Sequence, residues 1–487
     1  MPHDPTPHNY IAVDLGAGSG RVMLGRLASG ELKLEEHRRF ENMPVEVGGH
    51  LRWDVLSLWA NVQKGIELAT AAAGGKVESV STDSWGVDYV LQGLGSPMLQ
   101  PPIIYRDPRT DTTFPAALAE AGEGEIFGQT GIQFMPINTL YQLLAEPPAL
   151  LAAAERMLPL GDYFNQLLGG RPVTDVSMAS TTQCFDVRRR TWATPLLERL
   201  GLRPSLFPEV VETGTVTGER PDGIKVIQTC THDTGCAVAA VPADPQASWA
   251  YLSSGTWSLL GVEADGPVVT DRCRELNFTN ELGYGGKTRL LKNLSGLFIL
   301  QECRRDWQRD HRDMGWHKLA KMAEDAPPLA SLIRPEHPRF GQPTDMPHEI
   351  AGYLRATGQP TPEPIGGYVR CIYESLALLY RKSLAELEEL VGRKIEVLHV
   401  VGGGGQARLL NQLTADATGL PVKVGPYEAT AMGNLLIQSA TLGHIDPADI
   451  RPIVRRSQSV ETFEPDSANA RRMSEAFERF TALPTDG

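Results

Sequence analysis

The N-terminal part of the chain alternates between short apolar runs and glycine-rich breaks. Residues 16–20 are rich in glycine and predict a tight hairpin turn between the first two runs. Residues 56–73 carry apolar side chains at helical spacing, and this segment stops at Gly74-Gly75. The runs typical of strands are residues 10–15, 21–27, 32–40 and 77–90. The pattern therefore predicts the order βββαβ, opened by a hairpin.

The second half of the chain shows a related pattern. Ser253-Ser254-Gly255 predicts a second hairpin. Helices are predicted over residues 369–391 and 406–418, and the glycine loop 402–405 precedes the latter helix. The strand-like runs are residues 249–252, 256–263, 288–292 and 397–401. We therefore expect an α/β protein with two similar lobes facing a cleft, although no residue-level repeat is visible.

The short segment Pro242–Pro245 lies between the halves and is the candidate linker. It divides the chain into an expected N-terminal domain, residues 1–243, and an expected C-terminal domain, residues 244–487.

Composition limits the kinds of partner that the protein can bind. The chain has 487 residues, 41% of them hydrophobic and 22% charged, which is ordinary for a globular protein with a sizeable core. Its net charge of −13 disfavours nucleic acid and anionic membranes as partners. No run reaches the ~18 apolar residues of a membrane helix, and the N-terminus lacks the basic and apolar regions of an export signal. We therefore expect a cytoplasmic protein.

The six cysteines include no C-x-x-C pair, which favours a reducing compartment. Cys230 and Cys236 bracket His232, but a fourth ligand at a spacing known from zinc sites is missing. We expect the cysteines to be small buried hydrophobic residues.

The first glycine-rich turn reads Asp14-Leu15-Gly16-Ala17-Gly18-Ser19-Gly20-Arg21. Successive backbone N–H groups in such a turn can bind a phosphate. Asp14 would repel that phosphate unless a hard cation lay between them, which indicates Mg²⁺ bound to Asp14 through water. The alternative is a plain hairpin in which Asp14 is a turn residue.

Two later segments offer groups of the same kind. Ser253-Ser254-Gly255-Thr256 carries hydroxyls and backbone donors at the second hairpin, and the two hairpins together suggest a clamp on one polyphosphate. The loop 402–405 leaves free N–H groups at a helix start, or it is only a close packing corner. Neither glycine segment has the G-x-G-x-x-G spacing of a dinucleotide site, and Glu281 stands where a P-loop ending at Lys287-Thr288 needs glycine.

Asp233 is the candidate catalytic residue. The residues before it predict a strand, and Thr231-His232-Asp233-Thr234 predicts a loop followed by a short helix. In phosphoryl transfer, an Asp at such a position can orient a hydroxyl and accept its proton, without needing a raised pKa. Asp233 could equally be a helix N-cap, and His232 could be either a donor to substrate oxygen or a structural histidine.

Residues 83–89, Asp-Ser-Trp-Gly-Val-Asp-Tyr, alternate as a strand, and Gly86 would allow a ligand to approach the backbone. Trp85 and Tyr89 could hold a sugar or be buried in the sheet.

Taken together and in order, these segments resemble the FGGY carbohydrate kinases of the hexokinase/actin/chaperone superfamily. The resemblance covers about residues 10–450. The segments that carry it are AVDLGAGSGRVMLGR, DSWGVDYVL, YRDPRT, GIQFMPINTLYQL, DYFNQLLGG, HDTGCAV, AYLSSGTWSL, LKNLSGL and VVGGGGQARLLNQLTADATG.

The resemblance implies two ribonuclease-H-like (actin/hexokinase-type) lobes and ATP-dependent phosphorylation of L-rhamnulose at its 1-hydroxyl in the cytoplasm, with Mg²⁺. It implies that the N-terminal lobe binds sugar and phosphate and that the C-terminal lobe binds nucleotide. The positions matching nucleotide-binding residues are Ala17, Gly18, Ser19, Gly20, Arg21, Thr256, Gln301 and Gly403. Those matching sugar-binding residues are Gly86, His232, Asp233, Thr234 and Asn293, with Asp233 as proton acceptor.

Two other functions are alternatives. A kinase of the same fold could act on another 6-deoxyketohexose, such as L-fuculose, because the orientation of one sugar hydroxyl is recognised by contacts that a sequence does not define. An actin- or chaperone-like ATPase switch would share the hairpins but would need a filament or peptide-binding surface. We expect small-molecule partners only, sugar and MgATP, and a monomer or homodimer.

Overall fold

The computed structural model describes residues 7–310, 314–341 and 345–485. Its strands are β1 His8–Leu15, β2 Ser19–Ala28, β3 Glu31–Glu41, β4 Val45–Val47, β5 His50–Arg52, β6 Val77–Ser84, β7 Tyr89–Gly93, β8 Ala154–Pro159, β9 Thr174–Asp175, β10 Phe185–Asp186, β11 Thr191–Trp192, β12 Val210–Val211, β13 Thr215–Glu219, β14 Lys225–Gln228, β15 Trp249–Ser254, β16 Trp257–Ala264, β17 Thr279–Leu282, β18 Thr288–Ser295, β19 Val397–Val401, β20 Val422–Val424 and β21 Glu461–Phe463.

The helices alternate with these strands along the chain. They are α1 Val55–Ala72, α2 Thr110–Ala121, α3 Glu123–Thr130, α4 Thr139–Leu144, α5 Pro148–Ala153, α6 Leu160–Leu167, α7 Val176–Ala179, α8 Thr194–Arg199, α9 Asp233–Ala239, α10 Asp271–Glu275, α11 Phe298–Asp310, α12 Trp316–Glu324, α13 Met346–Ala356, α14 Ile365–Val391, α15 Arg408–Thr418, α16 Ala429–Thr441, α17 Ile450–Ser457 and α18 Ser467–Thr481. Among the described residues, no helix is both long and apolar enough to cross a bilayer.

The first main sheet has the strand order β13-β14-β6-β1-β2-β3. Strand β1 pairs antiparallel with β2 and parallel with β6, so the predicted hairpin is confirmed. The predicted order βββαβ holds for this sheet, but a separate short hairpin, β4–β5, stands between β3 and α1. Seven of the eight residues of β1 are buried, because a central strand covered on both faces carries apolar residues almost continuously.

The second main sheet has the order β17-β18-β16-β15-β19-β20-β21. Strand β15 pairs antiparallel with β16 and parallel with β19. The same local arrangement, a hairpin whose first strand has a parallel neighbour, therefore occurs in both halves of the chain, and the mixed α/β prediction is confirmed.

The chain forms two compact units. Unit 1 contains the described residues up to Pro242 together with Glu263–Leu290 and Glu428–Gln458. Unit 2 contains Ala243–Val262, Leu291–Tyr427 and the described residues from Ser459 onward. Unit 1 thus takes two segments from the second half of the sequence.

Helix α16 packs into unit 1 through polar contacts with the first sheet. The Gln438 amide donates to the carbonyl of Ile11 at 2.9 Å and accepts from the Ser79 hydroxyl at 2.6 Å. The Tyr10 hydroxyl donates to Ser439 at 3.2 Å. Because buried polar groups are costly without partners, these bonds fix the helix against β1 and β6.

The predicted single strand over residues 77–90 is wrong. Strand β6 ends at Ser84 and β7 begins at Tyr89, and Val87 between them has a φ of 70°. The physical reason is Asp88, a buried carboxylate that accepts from the indole N–H groups of Trp53 at 2.6 Å and Trp85 at 2.9 Å. Satisfying this carboxylate requires a turn rather than a continuous ladder.

Candidate active site

The first hairpin turn, residues 16–18, is fixed from one side. The Gly16 N–H donates to the carbonyl of Ser19 at 2.9 Å. Asn42 donates through its backbone N–H to the carbonyl of Gly18 at 3.2 Å and through its side chain to that of Gly16 at 3.0 Å. Gly18 itself is exposed. The carbonyl oxygens are therefore used internally, which suits a turn that binds an anion through N–H groups.

Charged side chains stand at the base of this hairpin. Asp14 is 2.5 Å from Arg21, and Arg21 also pairs with Glu428. Asp14 lies opposite Asp83 in the β1–β6 register. Burial, reinforced by the Asp14 charge, raises the pKa of Asp83 well above its ordinary value, and Asn434 donates to Asp83 at 2.6 Å.

The residues present fit a hard cation such as Mg²⁺. Carboxylate oxygens are the ligands that Mg²⁺ prefers, and one buried oxygen of Asp83 has no hydrogen-bond partner. Within the described part of the chain, no three His, Cys, Asp or Glu side chains are grouped closely enough to bind a metal ion alone. A cation here would complete its shell with water or phosphate oxygens, as Mg²⁺ commonly does.

Asp233 is the first residue of α9, and His232 is the N-cap residue. The N-cap interpretation of Asp233 is therefore wrong, because the helix begins at Asp233 itself, two residues earlier than the sequence predicts. An oxygen of Asp233 accepts from the Thr234 N–H at 2.5 Å and from the Thr234 hydroxyl at 3.1 Å. Its side chain remains 30% exposed.

The pKa of Asp233 is raised from its ordinary value. Burial is the main cause of the rise, a protonated His232 would oppose it, and the charge of Asp14 adds to it. The role predicted for Asp233 from the sequence does not need a raised pKa. A raised pKa makes this carboxylate a stronger proton acceptor, which suits a general base.

Two buried carboxylates fix the loop that carries Asp233. Asp162 accepts from the Thr231 hydroxyl at 2.8 Å, and Asp175 accepts from the Thr231 N–H at 3.3 Å. The His232 N–H donates to Ser177 at 3.4 Å. Burial raises the pKa of Asp162 well above its ordinary range and that of Asp175 to about 6. Sequence reasoning missed both residues, although Asp162 lies in the segment DYFNQLLGG.

Gly86 lies next to His232. A Cβ atom placed on Gly86 would be 3.5 Å from the Nε2 atom of His232 and 3.3 Å from the hydroxyl of Thr181. The structure thus brings together Gly86, His232, Asp233 and Thr234 in unit 1. Trp85 and Tyr89 are only 7% and 4% exposed, so their buried interpretation is favoured over sugar stacking.

The predicted nucleotide residues of the second half lie in unit 2. The Thr256 hydroxyl donates to Gln301 at 3.2 Å, so these two residues meet. The glycine loop itself continues into a 3-10 turn, Gly403–Gln406, which delays the start of α15 to Arg408. A Cβ on Gly403 would face open space, whereas one on Gly404 would overlap Ser254.

Asn293 lies in β18 and is half-buried. It belongs to unit 2, whereas the other predicted sugar residues belong to unit 1. Its predicted role in sugar binding stays a prediction.

All six cysteines are buried, as expected, and are free thiols. Cys236 donates to the backbone carbonyl of Cys230 at 3.0 Å.

Glu281 and Arg289 were also missed from the sequence as site residues. Both are buried beside His232, with Arg289 fully inaccessible to solvent. The available signal was a charged residue inside each of two short strand-like segments, TNEL and TRLL, where a side chain must find a buried partner.

Two family models match the chain. Residues 9–241 match the N-terminal domain of the FGGY family of carbohydrate kinases, and residues 250–442 match its C-terminal domain. Similar proteins include three named rhamnulokinase. The one from Bacteroides thetaiotaomicron is 44% identical over 94% of this chain and 96% of its own. The one from Pectobacterium atrosepticum is 41% identical over 94% of this chain and 93% of its own. The one from Bacillus subtilis is 37% identical over 96% of this chain and 98% of its own.

Solved structures with the same fold include a gluconate kinase from Lactobacillus acidophilus, with a TM-score of 0.80 at 16% identity over 98% of this chain and 97% of that one. A glycerol kinase from Plasmodium falciparum, solved with ADP, gives a TM-score of 0.78 at 14% identity over 98% of both chains. These neighbours confirm the predicted actin/hexokinase-type two-domain fold. With both of its domains matched, the chain belongs to the FGGY family of carbohydrate kinases.

Proposed function

We propose that this protein transfers the γ-phosphoryl group of ATP to the 1-hydroxyl of L-rhamnulose, giving L-rhamnulose 1-phosphate and ADP. The observation that carries the proposal is the 37–44% identity to three rhamnulokinases over nearly the full length of each. The position of Asp233 beside His232 and Gly86 supports the same reaction, because it provides a proton acceptor next to an imidazole and a glycine backbone that can approach a sugar.

In this reaction Asp233 orients the 1-hydroxyl and accepts its proton as the oxygen attacks the γ-phosphorus. The O–H bond breaks, the new P–O bond forms, and the bond between the γ-phosphorus and the departing ADP oxygen breaks. His232 donates a hydrogen bond to a sugar oxygen, while Gly86 leaves room for the substrate and Thr234 and Asn293 supply further polar contacts.

ATP binds through the backbone of Ala17, Gly18, Ser19 and Gly20 and the side chain of Arg21, with Thr256, Gln301 and Gly403 contacting the nucleotide. Mg²⁺, when bound with ATP, neutralises charge on the phosphates, and Asp14 would hold it through water.

The domain roles follow from these assignments. Residues 1–243 provide the first phosphate hairpin and the sugar positions except Asn293, and residues 244–487 provide the other nucleotide positions, Thr256, Gln301 and Gly403. We place the enzyme in the cytoplasm as a monomer or homodimer, acting on small molecules and not on nucleic acid or membranes.

The test is a panel of ketoses at saturating MgATP, with sugar-dependent ADP release as the readout. L-rhamnulose is expected to give the highest kcat/KM, well above L-fuculose and D-xylulose. Preference for L-fuculose would replace the substrate assignment. ADP release that does not depend on any sugar would favour an ATPase switch instead.

The proposed base is tested separately with Asp233→Ala. We expect kcat to fall by roughly 10²-fold or more, since a positioned general base contributes about that much. Asp222→Ala is the matched control, because Asp222 is an exposed carboxylate that pairs with Arg220 in the β13–β14 turn. Near wild-type turnover in Asp233→Ala would remove Asp233 from the chemistry.

A further inference from the structure

A buried ion pair lies directly behind His232. Arg289 is 3.1 Å from the carboxylate of Glu281, and Glu281 is 3.3 Å from the Nδ1 atom of His232. The Nη2 atom of Arg289 forms a hydrogen bond of 3.2 Å with the same Nδ1 atom. All three residues belong to unit 1 and are at least nine-tenths buried.

The Nδ1 atom of His232 faces two groups, the Arg289 guanidinium at 3.2 Å and the Glu281 carboxylate at 3.3 Å. A guanidinium has only donor groups, so in its hydrogen bond to His232 the Nδ1 atom is the acceptor, while the Glu281 carboxylate is paired with Arg289 at 3.1 Å. In a neutral imidazole the other nitrogen, Nε2, then carries the hydrogen. We propose that Arg289 is a positioning residue that fixes His232 in the Nε2–H form, so that His232 can only donate to a substrate oxygen; this rests on the proposed function.

The guanidinium of Arg289 has little freedom to turn. It donates to the carbonyl of Leu282 from Nε at 3.3 Å and from Nη2 at 3.0 Å. The absence of a side chain at Gly283 leaves room for the Arg289 stem, because a Cβ there would be 3.3 Å from its Cγ atom. Glu281 balances the charge. The planar guanidinium is thus held by the Leu282 carbonyl, by Glu281 and by His232, and these contacts fix the direction of its N–H bonds.

Stability alone does not explain why a charged group is buried here. Moving an arginine and a glutamate out of water is costly, and buried ion pairs are often no more stabilising than apolar residues of similar size. A buried pair that sets the orientation and tautomer of a site histidine has a geometric function instead.

The Nε2–H form also suits the chemistry beside it. Nε2 lies 3.5 Å from an oxygen of Asp233 and at the same distance from the position of a Cβ on Gly86. An unprotonated Nε2 would be a second acceptor for the hydroxyl proton, in competition with Asp233. When Nε2 of His232 is a donor, Asp233 is the only one of these two side chains that can accept the hydroxyl proton. His232 then favours ligands that place an acceptor oxygen next to Nε2.

The direct test is ¹⁵N NMR of the full-length protein labelled at histidine, recorded near pH 7.5. The His232 signals are identified by their loss in His232→Gln. We expect an unprotonated Nδ1 and a protonated Nε2 in the protein without substrate. A protonated Nδ1, alone or together with Nε2, would overturn the proposal. This readout does not depend on activity, so it stands apart from failure of the proposed function.

A kinetic test uses Arg289→Lys, which keeps the charge but loses the planar fork. We expect the KM for the sugar to rise about tenfold, the usual effect of losing one neutral hydrogen bond, while the KM for ATP changes less than twofold. Arg334→Lys is the control, because Arg334 is a buried arginine that packs on Phe480 in unit 2. An unchanged sugar KM in Arg289→Lys, or an equal rise in both KM values, contradicts the proposal.

A double-mutant cycle asks whether Arg289 acts through His232. In the background of His232→Gln, the change Arg289→Lys should raise the sugar KM by less than twofold, because the histidine on which it acts is gone. Additive effects of the two changes would contradict the proposal. If Arg289→Lys fails to fold, the tautomer measured in the wild-type protein still decides.

Discussion

The two glycine-bearing hairpins have the same strand pairing but different polar side chains at or beside their turns. In the β1–β2 hairpin, Asp14 and Arg21 form an ion pair. In the β15–β16 hairpin, the Thr256 hydroxyl donates to the neutral Gln301 side chain. Similar backbones therefore present charged groups in one case and neutral groups in the other.

This difference suggests a division of labour. A carboxylate next to a phosphate-binding turn is useful only where a cation is bound, whereas a hydroxyl and an amide can contact a nucleotide directly. We therefore expect the first hairpin to govern metal dependence and the second to govern ATP affinity.

Removing the carboxylate of the first hairpin should have the largest effect. We expect Asp14→Asn to lower kcat by about 10²-fold and to raise the Mg²⁺ concentration needed for half-maximal rate, since an electrostatic group at a charged transition state contributes about that much. A Mg²⁺ titration of the initial rate measures both. Glu428→Gln is the control, because it removes the other carboxylate partner of Arg21. Equal effects of the two changes would mean that the ion pair, not a metal, matters.

The first hairpin and the glycine loop 402–405 should respond alike to glycine substitutions, because each has one packed and one open glycine. A Cβ on Gly20 would overlap Phe40, and one on Gly404 would overlap Ser254, whereas Gly18 and Gly403 face open space. We expect Gly20→Ala and Gly404→Ala to lower the free energy of unfolding by about 1–3 kcal/mol. Gly18→Ala and Gly403→Ala should change it by less than about 0.5 kcal/mol. Urea unfolding measures these values, and a destabilising Gly18→Ala would show that this turn is more crowded than described.

Removing the hydroxyl of the second hairpin should have a smaller effect. We expect Thr256→Val to raise the KM for ATP about fivefold, because one neutral hydrogen bond is lost, with no change in the sugar KM or in Mg²⁺ dependence. Initial rates at varied ATP measure the change, and Thr256→Ser, which keeps the hydroxyl, should restore it. A shift in Mg²⁺ dependence in Thr256→Val would contradict the proposal that the first hairpin governs metal dependence and the second governs ATP affinity.

The smallest expected effect is a change in pH dependence. Asp14 raises the pKa of Asp233, so removing its charge in Asp14→Asn should lower that pKa. The base must be deprotonated to act, so the acid limb of kcat/KM for the sugar should move to lower pH, by less than about one unit. Thr256→Val should leave the limb in place. The measurement is a normalised profile of kcat/KM against pH for the wild type, Asp14→Asn and Thr256→Val. An acid limb that moves to higher pH in Asp14→Asn would contradict the assignment of Asp233 as the base.

Central strands such as β1 and β19 were predictable because they are nearly continuous apolar runs. Strand β19 was predicted with its observed bounds, and the long helix α14 with its observed end. The turn between β6 and β7 was not, because it depends on a buried carboxylate and two tryptophans, one of them, Trp53, far away in sequence.

The candidate site was predictable only where its residues lie within one segment. His232, Asp233 and Thr234 are adjacent in the chain, and Gly86 was found through its motif. The partners of these residues were not found: Arg289 is 57 residues from His232, and Glu428 is 407 residues from Arg21. Such pairs are decided by tertiary packing, which a local pattern does not record.

The late position of α16 in the sequence has a consequence for biosynthesis. Gln438 bonds to Ile11 across 427 residues, and at ~5–20 residues per second a ribosome needs roughly 20–90 s to make that stretch. During this time the face of the first sheet that α16 covers has no helix to shield it. The nascent chain therefore emerges with an unfinished N-terminal unit, which makes it a candidate client for chaperones and limits any attempt to express residues 1–243 alone.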